Sequence, residues 1–292
     1  MSAFFCAQLA RSENDQLFGT TKQIRLFIAL EYWQPWNSKA LQSELLPPRV
    51  RQFLGSVRQQ VPQSRLLLIR QRDSKDRKPS CFVAIPSGPS SILYHQELDS
   101  YEDVLSLPIL HCSPSLPKWT KPLFLVCNHG KHDKCCAKFG GAVLDADATS
   151  DAVWESSHLG GCRFAANMLC LPRGLMFGNL SPGDAARVMR EYNAGNLDLD
   201  NLRGRSDYSK SAQAAEYFVR REYGIQGIDR LKLLGSHDEG NIATTLFEDG
   251  SQVYQVRHTV TKSETPRILA CADTEPEFVW SNHLAAISSH SK

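Results

Sequence analysis

The chain has 292 residues, with 33 Lys and Arg against 31 Asp and Glu, and 42% of its residues are hydrophobic. This composition supports a folded core and excludes a disordered or collagen-like chain. The near-zero net charge gives no reason to expect a nucleic-acid partner. The longest apolar runs fall far short of the roughly 18 residues that a membrane-spanning helix needs, so we expect no membrane partner.

The N-terminal segment does not have the form of a secretory signal. No positive charge precedes its short apolar patch, and Gln8, Arg11 and Glu13 follow soon after. We therefore expect a cytoplasmic protein. In a reducing cytoplasm the nine cysteines are expected to serve metal binding, redox chemistry or core packing rather than disulfides.

The first part of the chain is predicted to form an α/β region, residues 1–117. Apolar runs predict strands at 23–31, 64–70, 80–85 and 91–94, and Pro47 and Pro48 open a helix with one apolar face. The charged stretch 70–78 is predicted to be a solvated loop. The proline-rich stretch 113–122 predicts a boundary with a second domain, residues 118–292.

The second domain is predicted to continue the α/β pattern. Apolar runs predict strands at 122–127, 152–156, 163–171 and 175–177, the last two as a pair, and a helix begins near Cys135. Ser181 caps a further helix that Pro182 opens, and another helix covers 209–223. Asp249 and Gly250 predict a hairpin, and residues 288–292 are expected to fray.

Six of the nine cysteines lie between positions 112 and 170, where an even distribution would place about two. This clustering indicates a site. We predict that Cys6, Cys81 and Cys271 are ordinary core residues and that Cys170 packs within an apolar strand. For Cys112 both roles stay open.

Two short stretches carry the candidate chemistry. Cys127 ends a predicted strand and Cys136, separated from it by eight residues, begins a predicted helix, so both thiols can converge on one point. The helix N-terminus and nearby lysines favour thiolates there. His158 and Cys162 flank a glycine pair that lets a loop turn tightly. Three thiolates and one imidazole suit zinc or an iron–sulfur cluster and suit magnesium or calcium poorly.

Neighbouring residues leave alternatives open. Cys135 adjoins Cys136 and is either the ligand in its place or a free thiol beside the site. His129 and His132 are either hydrogen-bond donors to the ligands or plain loop residues. Arg163 and Asn167 follow the second stretch, where they serve either to orient the loop or to pack.

The sequence also resembles the sucrase/ferredoxin-like family, whose core is a thioredoxin-like ferredoxin. The resemblance rests on Cys-x-His-Gly-x-x-Asp-x-x-Cys at 127–136, Trp-Glu-x-Ser-His-Leu-Gly-Gly at 154–161, Arg-Phe-Ala-Ala-Asn at 163–167 and Leu-Pro-x-Gly at 171–174. It implies a 2Fe-2S cluster held by Cys127, Cys136, His158 and Cys162. Many members of the family have a histidine at the position of Cys162, so this chain differs from them there.

The resemblance further implies a non-enzymatic electron carrier or redox sensor with a redox partner protein still to be identified. Three thiolates and one histidine would give the oxidised cluster a charge of about −1. The potential should then lie between about −400 mV for plant-type ferredoxins and roughly −150 to +300 mV for two-histidine centres. A histidine ligand exposed to solvent would also let the potential fall as pH rises.

Two other functions remain as alternatives. The same four residues would suit a structural zinc ion. A thioredoxin-like fold also invites thiol oxidoreductase activity, although Cys135 and Cys136 form no Cys-x-x-Cys motif. Glycosidase activity is disfavoured because no convincing carboxylate pair lies near the site.

Overall fold

The structure is a computed structural model that describes residues 4–43, 46–71, 77–109, 116–146 and 151–292. Within these ranges the chain forms a nine-stranded mixed sheet with helices against it and a separate four-stranded antiparallel sheet. The predicted α/β class is confirmed. Cys112, residues 72–76 of the predicted charged loop and the start of the predicted domain boundary lie outside the described residues.

The large sheet contains strands from both sides of the predicted boundary at residue 117. Its strands, in chain order, are β1 (Leu26–Glu31), β2 (Ser64–Arg70), β3 (Ser80–Ile85), β4 (Ile92–Glu97), β5 (Leu123–Cys127), β6 (Val153–Ser156), β7 (Met168–Leu171), β8 (Leu175–Phe177) and β9 (Leu202–Arg205). They lie in the order β4-β3-β1-β2-β6-β5-β7-β8-β9. The division into domains at residue 117 stays a prediction.

Two parallel pairs lie at the centre of this sheet. β1 pairs with β2, and β5 pairs with β6, while β2 and β6 are antiparallel and join the two halves. The predicted strand at 163–171 is shorter in the structure, because Cys162–Phe164 forms a 3₁₀ turn before β7 begins. β7 and β8 pair as predicted.

The helices pack their apolar residues on both faces of the sheet. They are α1 (Cys6–Ser12), α2 (Pro48–Gln60), α3 (Gly141–Ala146), α4 (Pro182–Asn193) and α5 (Lys210–Tyr223), and a π-helical turn (Cys136–Gly140) leads directly into α3. α1 shares one core with the site cysteines, whereas α2, α3 and α4 pack on the opposite face. Ser181 caps α4 as predicted, and Ser209 caps α5.

The C-terminal strands form the second sheet, from β10 (Lys232–Glu239) and β11 (Ile242–Asp249) to β12 (Gln252–Lys262) and β13 (Trp280–Ser291). The predicted hairpin is confirmed, with Asp249 opposite Gln252 across the turn. The prediction that 288–292 fray is wrong, because β13 pairs with β12 as far as Ser291. In the described ranges, no helix combines the length and apolar character that crossing a membrane requires.

A buried ion-pair group fixes α5 to the edge of the large sheet. Glu216 Oε1 lies 2.8 Å from Arg205 Nε and 2.9 Å from Arg220 Nε, and all three side chains are at most 1% exposed. Both guanidinium groups also donate to the carbonyl of Ile228. Each buried charge therefore has partners that offset the cost of removing it from water.

The turn from β5 into the helix is tightly packed at one glycine. A Cβ atom on Gly140 would lie 1.9 Å from the carbonyl oxygen of Cys127, a distance that no side chain can occupy. At the next position, a Cβ on Gly141 would meet nothing closer than Asn128 Oδ1 at 3.8 Å. Gly140 therefore allows the helix that carries Cys136 to approach the end of β5.

These two glycines give a matched test of this close approach. We expect Gly140→Ala to lower the free energy of unfolding by about 3 kcal/mol or more, since the backbone must shift. Gly141→Ala should leave stability unchanged or raise it by up to about 1 kcal/mol, because alanine favours the helix. Denaturant unfolding of both variants measures the difference, and equal stabilities would contradict the packing.

Candidate metal centre

The candidate site lies where the carboxyl ends of the parallel strands β5 and β6 meet. Cys127 ends β5 and faces Ser156, the last residue of β6, in the strand register. His158 follows β6 by two residues and Cys162 by six, and Cys136 lies at the start of the π-helical turn. Parallel pairing therefore brings both predicted stretches to one edge of the sheet.

All four predicted ligand side chains come together there. Cys136 Sγ lies 3.9 Å from Cys162 Sγ, and Cys162 Sγ lies 3.7 Å from His158 Nδ1. The ligand atoms of Cys127, Cys136 and His158 all lie within 4.8 Å of one another. The three cysteines are buried and His158 is partly exposed. This arrangement could hold a metal ion.

Hydrogen bonding within the group sets its protonation. Hydrogen bonds to Cys127 and Cys162 raise the pKa of Cys136 far above its ordinary value. The same bonds, against the effect of burial, lower the pKa of Cys127 and lower that of Cys162 to about 5. Burial disfavours charge on His158, but its hydrogen bonds to Cys127 and Cys162 and their negative charge raise its pKa to about 9. Cys127 and Cys162 thus favour the thiolate form that binds metals.

His129 supports the loop that carries His158. Its Nδ1 accepts a hydrogen bond from the backbone N–H of His158 at 3.2 Å, so its Nε2 carries the proton and donates to the carbonyl of Asn37 at 2.9 Å. Burial lowers the pKa of His129, which keeps the ring neutral. In this geometry His129 accepts a bond from the His158 backbone and donates to Asn37 rather than to a ligand side chain, so it supports the loop in a way that neither of the two open roles described.

His132 lies directly over His158. Their ring centroids are 3.7 Å apart, and ligand atoms of His132, His158 and Cys162 lie within 4.8 Å of one another. The Nδ1 atom of His132 also lies 3.3 Å from the carbonyl oxygen of Ser38. His132 is therefore a further donor at the partly exposed side of the site.

A buried arginine that the sequence analysis missed holds the glycine loop. Arg203 Nη1 donates to the carbonyl of Gly160 and to Asn167 Oδ1, both at 2.8 Å. Gly161 has a φ of +76°, and a Cβ there would lie 2.5 Å from Arg203 Nη2. Asn167 Nδ2 in turn donates to the carbonyl of Gly161 at 2.9 Å. Asn167 thus orients the loop, with Arg203 as its partner.

Other charged side chains lie near the loop. Arg163 does not bond the glycine loop; its Nε lies 3.6 Å from Asp15 Oδ2. Arg65 Nη2 donates to the carbonyl of His158 at 2.5 Å. Burial lowers the pKa of Arg65 and lowers that of Arg203 to about 9. The sequence gives no local signal for Arg65 or Arg203, because both are distant from the motif along the chain.

A cavity of about 1040 Å³ opens beside the site. His132, His158 and Cys162 line it, together with the glycine loop and residues of the C-terminal sheet such as Trp280. Cys127 and Cys136 are not among the residues that line it. One side of the candidate centre therefore faces open space, and the other is enclosed by the core.

Cys135 belongs to a different group of side chains. Its Sγ lies 3.5 Å from Cys6 Sγ and 3.3 Å from Cys271 Sγ, whereas Cys136 directs its thiol toward Cys162. Cys6, like Cys81 and Cys170, is buried as predicted, and Cys271 is partly buried. The association of Cys6 and Cys271 with Cys135 was not predicted, because Cys6 is 129 positions and Cys271 is 136 positions away from Cys135 along the chain.

Comparison with known proteins agrees with the motif. Residues 17–204 match the model of the sucrase/ferredoxin-like family, so the chain belongs to that family. The matched segment contains all four candidate ligands and Arg203, while Cys6 and Cys271 lie outside it. No curated protein and no solved structure gave a match.

The lowered pKa of Cys162 makes its reactivity testable. An ordinary thiol with a pKa of about 8.5 is only about 1% ionised at pH 6.5, whereas Cys162, with a pKa of about 5, should be almost fully ionised. In the metal-free, reduced protein we expect iodoacetamide at pH 6.5 to alkylate Cys162 well before Cys81 and Cys170, whose pKa values burial raises. Peptide mass spectrometry measures the order of labelling. Labelling of Cys162 only above pH 8 would contradict these contacts.

Proposed function

We propose that the protein binds a 2Fe-2S cluster through Cys127, Cys136, His158 and Cys162 and acts in one-electron transfer or redox sensing. The observation that carries the proposal is the convergence of three thiols and one imidazole at the carboxyl ends of β5 and β6. Family membership supports it. We further propose that residues 118–292 include a thioredoxin-like ferredoxin domain.

The donor set fits such a cluster in its chemistry. Thiolates and imidazole are the ligands that iron–sulfur centres use, and no carboxylate is needed among the four. The cavity beside His158 and Cys162 supplies room next to the ligands. When bound, the cluster supplies a site that accepts and releases one electron.

The chain's own residues would tune that site. Three thiolates contribute three negative charges, and the hydrogen bonds from Arg65 and Arg203 to the carbonyls of His158 and Gly160 hold the second ligand loop in place. Cys127 and Cys136 are enclosed, whereas His158 borders the cavity. We propose that a redox partner protein in the cytoplasm exchanges electrons from the cavity side, nearest His158.

A structural zinc ion is the second candidate, and one observation favours it. Two thiolates on a tetrahedral zinc, each at about 2.3 Å, lie about 3.8 Å apart. The 3.9 Å between the Sγ atoms of Cys136 and Cys162 is close to that spacing. A thiol oxidoreductase has no such support, because Cys135 and Cys136 direct their thiols into different groups.

Metal and sulfide analysis separates the two candidates. Protein purified without oxygen should be coloured and should contain about two irons and two acid-labile sulfides per chain. Cys127→Ser should lose most of the iron, because the serine hydroxyl is a poor ligand for it. Cys170→Ala is the matched control: Cys170 is buried in β7 outside the site, so iron should be retained.

A second variant tests the role of Cys162. Cys162→His should keep the iron and raise the midpoint potential, because replacing a thiolate by a neutral imidazole removes one negative charge. A colourless wild-type protein with zinc at the four residues would refute the cluster and establish the zinc site. An unchanged potential in the histidine variant would exclude Cys162 as a ligand.

A further inference from the structure

A second group of thiols lies around Cys135, the neighbour of the candidate ligand Cys136. The Sγ atoms of Cys6, Cys135 and Cys271 form a triangle with edges of 3.3, 3.5 and 3.5 Å. Cys6 and Cys135 are fully buried, and Cys271 is partly exposed. Three thiols from the N-terminal helix, the motif and the C-terminal segment thus meet at one point.

The shape of the triangle favours a metal ion over a disulfide. A disulfide brings two sulfurs to about 2.05 Å and leaves a third thiol unused. Here the three edges are nearly equal, so no pair is singled out. The edges are slightly shorter than the roughly 3.8 Å between thiolates on a tetrahedral zinc ion, so an ion would need only a small expansion of the triangle.

A carboxylate completes the donor set. Asp133 Oδ2 lies 3.9 Å from Cys6 Sγ, and ligand atoms of all four residues lie within 4.8 Å of one another. The backbone N–H groups of Cys135 and Cys271 each donate to this carboxylate at 2.7 Å and fix its orientation. A carboxylate oxygen is a regular fourth ligand of zinc.

The charge of the group also favours the binding of a cation. Asp133 is 3% exposed, and no salt bridge to it occurs within the part of the chain that the structure describes. A buried carboxylate beside thiols is costly unless a positive charge offsets it. Backbone N–H groups further approach the sulfurs, from Cys6 to Cys271 Sγ at 3.4 Å and from Ala7 to Cys135 Sγ at 3.5 Å, as they do around metal thiolates.

We propose that Cys6, Cys135, Cys271 and Asp133 form a second metal site that holds a structural Zn²⁺ ion. The site is closed by four protein ligands, as structural zinc sites are. Cys6 and Cys271 lie outside the segment that matches the family, so the ion would join both flanking segments to the family core beside Cys136. The proposal does not depend on the identity of the group at the first site.

Zinc analysis of the full-length protein tests this site. The wild type should contain about one tightly bound zinc per chain, and Cys6→Ser and Cys271→Ser should each lose it while the metal of the first site is retained. Cys81→Ala is the control, because Cys81 is buried in β3 and contacts neither the candidate metal centre nor the second group of thiols. The zinc content of this variant should equal that of the wild type.

X-ray absorption at the zinc edge of the wild type gives a readout that does not depend on folding of the variants. It should show three sulfur neighbours at about 2.3 Å and one oxygen at about 2.0 Å. If the first site also held zinc, the wild type would contain two zinc ions and Cys271→Ser would retain one. Wild-type protein without zinc, a disulfide between any two of the three cysteines, or full zinc retention by Cys271→Ser would overturn the proposal.

Discussion

The parallel pairing of β5 with β6 is the constraint on which the candidate centre depends. Because Cys127 and Ser156 are opposite each other in this register, the loops that follow the two strands leave the sheet side by side. Each loop therefore needs only a few residues to bring its candidate ligands close to those of the other loop. A shift of one residue in the register would turn Cys127 to the opposite face of the sheet and away from His158.

Close backbone packing maintains that geometry. The helix that begins with Cys136 can approach β5 only because Gly140 has no side chain against the Cys127 carbonyl. The second loop is held from the far end of the sheet, since Arg203 belongs to β9 and bonds Gly160 and Asn167. The site therefore depends on strands at the centre and at the edge of the same sheet.

Much of this arrangement was predictable from the sequence. The remaining features could not be predicted, and the reasons are physical. The bounds of β2 and β3, the cap of α4 and the convergence of the four ligand candidates follow from local signals such as apolar runs, prolines and motif spacing. Strand β13 was missed because its last residues are polar and resemble a frayed terminus, and pairing with β12 orders it.

The long-range contacts could not be predicted from local sequence patterns. Arg203 looks like an ordinary charged residue until β9 takes its place in the sheet. Likewise, Cys6 and Cys271 have the surroundings of core cysteines, and only the folded chain brings them to Cys135. Metal sites built from distant segments cannot be recognised from spacing, because their donors share no element.

The ligand set itself is the central claim, and pulsed electron paramagnetic resonance of the reduced protein tests it most directly. Protein labelled with ¹⁵N-histidine should show strong coupling to one ligand nitrogen, which His158→Gln removes and His132→Gln preserves. Coupling to no nitrogen, or to two, would contradict a centre held by three cysteines and His158.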